Sequence, residues 1–150
     1  TEHAGLNSGL MIPQYTTAAL VTENKTLCFP ASADSVPTSL GQEDHVSMGS
    51  ISGRKLHQVL DNLEYIQAIE LLYAAQAMDF RRPLKSTPVM EACHNYVRQQ
   101  VPFIKDDRIF ADDIKALHQI VKDGSLLALA DEAAAKNNIK LDNDDEFGIY

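Results

Sequence analysis

From residue 48 to residue 82 the chain carries one long helical signal, and no other feature limits its fold so tightly. Leu56, Val59, Leu63, Ile66, Tyr73, Ala77 and Phe80 recur at alternating steps of three and four, with Glu70 in the one polar place. Tyr65, Ile69 and Leu72 form a second stripe. Beyond Tyr65 the segment is apolar almost all round, as a helix inside a bundle is. Pro83 closes it, because proline disfavours helix in the residue before it. Roughly 35 residues at ~1.5 Å each span about 50 Å. A chain of 150 residues cannot cover that length alone, so partner helices are expected from another subunit or from further sequence.

The flanking segments agree with an all-α chain: a long-helix bundle with shorter C-terminal helices. Residues 9–27 read as a helix, with Pro13 tolerable only in its first turn. Residues 30–45 hold Pro30, Pro37 and Gly41 among serines and show neither period, so a loop is expected there. Such a long loop inside a compact unit is uncommon and often functional. Residues 86–101 read as a helix started by Ser86-Thr87-Pro88, with Ser or Thr as cap. Asp112 or Asp113 opens a further helix to about Lys122, Asp123-Gly124 stops it, and residues 125–136 form a last one. Residues 137–150 read as a polar tail, frayed or only loosely docked. No convincing strand and no internal repeat is found.

Composition excludes several classes. The net charge is −8, which argues against nucleic acid, since phosphate binding needs clustered Lys and Arg. No apolar run approaches the ~20 residues of a membrane span, and no signal peptide is read. Cys28 and Cys93 stand far apart in no Cys-x-x-Cys pattern and are expected to be reduced thiols packed as small hydrophobes. The chain starts at Thr1, read as a first sign of a piece cut from a longer protein.

The chemistry-bearing segment is Gly41-Gln42-Glu43-Asp44-His45-Val46-Ser47-Met48-Gly49, just ahead of the long helix. One reading is electrostatic: acidic groups at a helix N-terminus, with Asp44 or Ser47 bonding free N–H groups. The other is a carboxylate held at a buried loop–helix junction, where it could act as a base or a cation partner. No metal site is expected. Glu43, Asp44 and His45 are consecutive and cannot easily converge on one ion, and His57, His94 and His118 form no His-x-x-x-His pair. Gly-x-Ser-x-Gly and the P-loop are both missing. Arg81 is expected in a structural ion pair.

Several segments carry a resemblance. Gly5-Leu6-Asn7-Ser8-Gly9-Leu10-Met11-Ile12, Val21-Thr22-Glu23-Asn24-Lys25 and Pro30-Ala31-Ser32-Ala33-Asp34-Ser35 resemble a core helix and its continuation in the aromatic amino acid ammonia-lyases. Residues 42–49, QEDHVSMG, are similar to the bacterial histidine ammonia-lyase form, and residues 68–81 and 97–108 resemble the helices that follow. The resemblance covers residues 5 to about 125.

It implies a core helix at 1–29, an active-site loop at 30–47, a long bundle helix at 48–82, C-terminal helices at 83–136 and a tail at 137–150. It implies a cytoplasmic homotetramer that converts L-histidine to trans-urocanate and ammonia with a methylidene-imidazolone electrophile. That ring forms from an internal Ala-Ser-Gly, and none is present: Ala31-Ser32-Ala33 is the nearest tripeptide. The chain is therefore expected to be a C-terminal fragment, inactive alone. Glu43 matches the glutamate that contacts the substrate side chain and takes part in catalysis there, where phenylalanine enzymes carry glutamine. Gln42 is expected to flank the same pocket. Two other readings remain: a tyrosine or phenylalanine ammonia-lyase or aminomutase, and a non-catalytic helical oligomerisation module.

Overall fold

The computed structural model describes residues 5–31, 33 and 35–141. Five helices carry the architecture: α1 (Met11–Leu27), α2 (Gly49–Phe80), α3 (Pro88–Gln100), α4 (Phe110–Lys122) and α5 (Ser125–Lys136). Between α1 and α2 lie two antiparallel two-residue strands, β1 (Pro37–Thr38) and β2 (Asp44–His45), paired Pro37 to His45 and Thr38 to Asp44. This miniature hairpin was not expected. Two residues per strand are too few to show a period of two, so nothing in the pattern could announce it.

Helix α2 is the frame. Its 32 residues span about 48 Å. Helices α1, α3 and α4 all pack on it, while α5 packs mainly on α3. The main core joins Ala68, Leu72 and Ala75 of α2 to Val97, Val101, Ile104, Leu117 and Ile120. A second core sets Val89 against Ala133 and Ala134. The buried face of α2 is thus the one that holds Ile69 and Leu72, the second stripe. Along the longer stripe Leu56, Leu63 and Phe80 are exposed, and Val59, Ile66 and Tyr73 only partly covered. Apolar periodicity marks a face that wants cover; it does not say which chain supplies the cover.

Local chemistry sets the ends. Pro13 falls in the first turn of α1, where its missing N–H costs no helical bond, and it is buried. Thr87 caps α3, its side chain accepting from Met90 N at 3.4 Å, with Pro88 at the first position. Helix α4 starts two residues ahead of Asp112, at Phe110, so both aspartates lie in its first turn rather than at the cap. There they favour the positive end of the helix dipole. Gly124, at φ 72°, makes the left-handed turn into α5.

One expectation is refined and one corrected. The segment after α5 docks as far as it is described. Ile139 N donates to Ala134 O at 2.9 Å, Asn137 Nδ2 donates to Ala133 O at 2.7 Å, and Ile139 and Leu141 pack on the second core. Residues 142–150 lie outside the described residues. Cys93 packs beside the second core, but Cys28 is exposed and packs nothing away from water. Among the described residues no helix is long and apolar enough to cross a membrane.

Candidate active-site loop

Residues 28–48 leave the end of α1 and return to the start of α2, and side chains of α2 hold the α1 side in place. Asn62, buried in α2, donates to Glu23 Oε2 at 2.9 Å and to Asn24 Oδ1 at 2.8 Å. Lys55 donates to the carbonyl of Phe29 and lies over the Phe29 ring. Tyr73 donates to the carbonyl of Leu10, and burial pushes its hydroxyl pKa upward.

The start of α1 is fixed from the other end of the chain. Asp107 accepts from Ser8 N at 2.7 Å and from Gly9 N at 2.8 Å, while Asn7 Oδ1 accepts from Asp107 N at 3.1 Å. Asp107 therefore pins the two residues that lead into α1, across a hundred residues of sequence.

At the loop tip a 3₁₀ turn, Ser39–Gly41, leads into Gln42. Gln42 N donates to Ser39 O at 3.0 Å. Ser39, Leu40 and Asp44 all hold positive φ near 53°, a conformation that L side chains adopt at a cost of ~1–3 kcal/mol each. Three such residues in six make this a locally strained turn.

Glu43 sits at the bend before β2, and Gln42 and Glu43 are both exposed. The expected burial of the carboxylate is therefore not met within these residues. The capping reading also fails. Helix α2 begins after Met48 with no side-chain cap bond, so neither Asp44 nor Ser47 bonds its free N–H groups. Asp44 instead lies 4.0 Å from His45 Nε2, both well exposed. A cavity of about 310 Å³ beside the loop is lined by Ala31, Ser35, His45, Val46, Ser47, Met48, Gly49 and Ser52. It brings His45 and Ser47 together and leaves Gln42 and Glu43 outside. Ser32 and Asp34 lie outside the described residues.

Sequence reasoning missed the polar clusters between helices. Asp79 accepts from His94 Nε2 at 2.8 Å and from Arg98 Nε at 2.7 Å, and Arg82 meets His94 Nδ1 at 3.1 Å. The ring is read as the tautomer with its proton on Nε2, since Nδ1 faces a guanidinium. Of the adjacent arginines 81 and 82, it is Arg82 that is seen in an ion pair among the described residues, at 2.9 Å to Glu91. That bond, with a second from Ser86 N, holds the Glu91 carboxyl at about 2. Asp61, Glu64 and His118 also come together, from two helices. Each cluster joins residues distant in sequence, and no local motif announces such a pairing.

A long, incompletely covered helix and an exposed, carboxylate-bearing loop leave apolar faces of this chain open. The chain belongs to the aromatic amino acid lyase family, whose model matches residues 1–99. Within that family it is similar to histidine ammonia-lyases. It is 49% identical to that of Sorangium cellulosum over 136 residues, covering 91% of this chain and 26% of the relative. With that of Idiomarina loihiensis it is 51% identical over 125 residues, covering 83% and 24%.

The crystal structure of histidine ammonia-lyase from Trypanosoma cruzi superposes with a TM-score of 0.85 at 46% identity, covering 89% of this chain and 26% of that one. Tyrosine aminomutase from Streptomyces globisporus gives 0.82 at 40% identity, covering 93% and 26%. The chain thus spans about a quarter of the length of the curated relatives it matches.

Proposed function

We propose that the chain is part of a histidine ammonia-lyase, which takes L-histidine to trans-urocanate and ammonia without oxidation. The observation that carries this reading is the exposed Glu43 in QEDHVSMG, in a chain about half identical to proteins of that name. A carboxylate presented at a loop tip can pair with an imidazolium or accept from a neutral ring N–H, and from there help to relay a proton. Gln42, beside it, would flank the same pocket. In the assembled enzyme the loop's exposed apolar residues Val36, Leu40, Val46 and Met48, and the open stripe of α2, would meet other segments or other subunits. A homotetramer fits that demand. The unpaired Cys28 and Cys93 fit a cytoplasmic setting.

The family's electrophile, a methylidene-imidazolone, forms from Ala-Ser-Gly. The residues present do not supply that origin: no Ala-Ser-Gly occurs, and the nearest tripeptide, Ala31-Ser32-Ala33, matches a different family segment. No step through the ring is assigned to this chain, which is inactive by itself on this reading.

The likeness to tyrosine aminomutase keeps a second substrate class in view. Glu43 separates the two. In the full-length protein, Glu43→Gln is expected to lower kcat/KM for histidine, read as urocanate absorbance, more than for phenylalanine. Equal losses would remove Glu43 from substrate recognition. Urocanate formed by the purified 150-residue chain would overturn the assignment of the electrophile to sequence outside it.

A further inference from the structure

Helices α2 and α4 face each other across a set of side chains that the lyase reading does not use. Asp61 and Glu64 stand three apart on α2, so both project from one face. From α4, His118 and Lys122 stand four apart and meet them. His118 Nε2 lies 3.2 Å from Glu64 Oε2, and Lys122 Nζ lies 3.2 Å from Asp61 Oδ1 and 3.8 Å from Glu64 Oε2. One donor atom each from Asp61, Glu64 and His118 fall within 4.8 Å of one another.

Two features set this cluster apart from a surface ion pair. Glu64 Oε2 and His118 Nε2 are both cut off from solvent, and neither makes an aligned hydrogen bond despite their approach. Two such atoms 3.2 Å apart leave room for a cation or a proton shared between them. The imidazole is also held in place: it stacks on Tyr65 with centroids 3.9 Å apart and planes 7° from parallel. A cavity of about 280 Å³ opens beside the cluster, lined by Asp61, Glu64, His57 and Lys122 among others.

We propose that Asp61, Glu64 and His118 form a binding site for one divalent transition-metal ion of the zinc class, joining α2 to α4. Two ligands at about 2.0–2.1 Å from a tetrahedral zinc stand roughly 3.3 Å apart, close to the separation of Glu64 Oε2 and His118 Nε2. One imidazole and two carboxylates make a mixed nitrogen–oxygen set that suits zinc, cobalt or manganese better than magnesium or calcium. Water from the cavity completes the coordination. Without metal the Lys122 ammonium holds the cation position. Half of the side chain is exposed, so it can swing out as the ion enters. Lys122 is thus a built-in competitor that weakens metal binding.

Cobalt(II) reports the site, because its visible absorption depends on the ligand set. Titration of the metal-free chain is expected to saturate at one ion per chain, and zinc to displace the cobalt with a rise in Tm. Asp61→Asn should weaken binding at least tenfold, and His118→Gln should abolish the absorption. Lys122→Met should tighten binding several-fold. Asp61 is half exposed, so its variant is expected to keep the wild-type circular dichroism and to separate loss of a ligand from loss of fold. Binding that ignores Asp61→Asn and His118→Gln, or that falls with His45→Gln instead, overturns the proposal. So does the absence of cobalt absorption at millimolar metal in Lys122→Met.

Discussion

Gln76 offers the sharpest test of how the long helix holds its neighbours. Its side chain is 4% exposed and pairs with one residue's backbone as a strand would. Nε2 donates to Ile104 O at 2.9 Å, and Oε1 accepts from Ile104 N at 3.0 Å and from Arg98 at 3.2 Å. Ile104 lies between α3 and α4 and is itself buried, so water cannot replace the carboxamide. In Gln76→Leu two backbone groups lose their partners, at about 1–3 kcal/mol each. The leucine returns about 1.5–3 kcal/mol through its own burial. The midpoints leave a net loss of roughly 2 kcal/mol. With a urea m-value of about 2 kcal/mol/M for a chain of this size, the midpoint falls by ~1 M. Gln58→Leu, on an exposed part of the same helix, should stay within about 0.5 kcal/mol. Urea titration followed by circular dichroism reads both. A midpoint change below ~0.3 M in Gln76→Leu would mean that Ile104 finds other partners, and the pairing would lose its assigned role.

Other consequences can be checked directly. Glu91 is held at about 2 against an ordinary value of 4.5, chiefly by its bond to Arg82 and then by Ser86 N. A carboxyl depressed in the folded state adds stability that is present above the unfolded pKa and is lost as pH falls toward 2. Glu91→Gln should therefore lower Tm at neutral pH and flatten its fall between pH 4.5 and 2. A slope unchanged by the substitution would count against the pair. Asp107→Ala should free the residues leading into α1 at a cost of about 1.5 kcal/mol, the low end for bonds to a charged group at a part-exposed site. Hydrogen exchange at Ser8 and Gly9 should then quicken while the α4 amides stay protected, and uniform loosening of both would point to a global effect instead.

Much of the local structure was legible because it has local causes. Apolar spacing, Pro13 in a first turn, the Thr87 cap and Gly124 as a left-handed stop act within a few residues, and they place the helices to within a turn. The QEDHVSMG segment stands out in the sequence for the same reason, being one run of unusual residues. The longer α2 stripe was read as well, but not its fate. Only the packing shows that Ala68, Ile69 and Leu72 face the chain's own core while Leu56, Leu63 and Phe80 stay open.

The remainder needed tertiary structure. The strained hairpin places Gln42 and Glu43 outward, and its strands are too short to leave a period. Asp107 pins the lead-in to a helix a hundred residues away, Gln76 pairs with a loop backbone, and His118 meets Asp61 and Glu64 across two helices. A helix writes its period into neighbouring residues, because each turn repeats every 3.6 positions. A hydrogen bond or a ligand set between distant segments leaves no such period, and only the folded chain brings its members together.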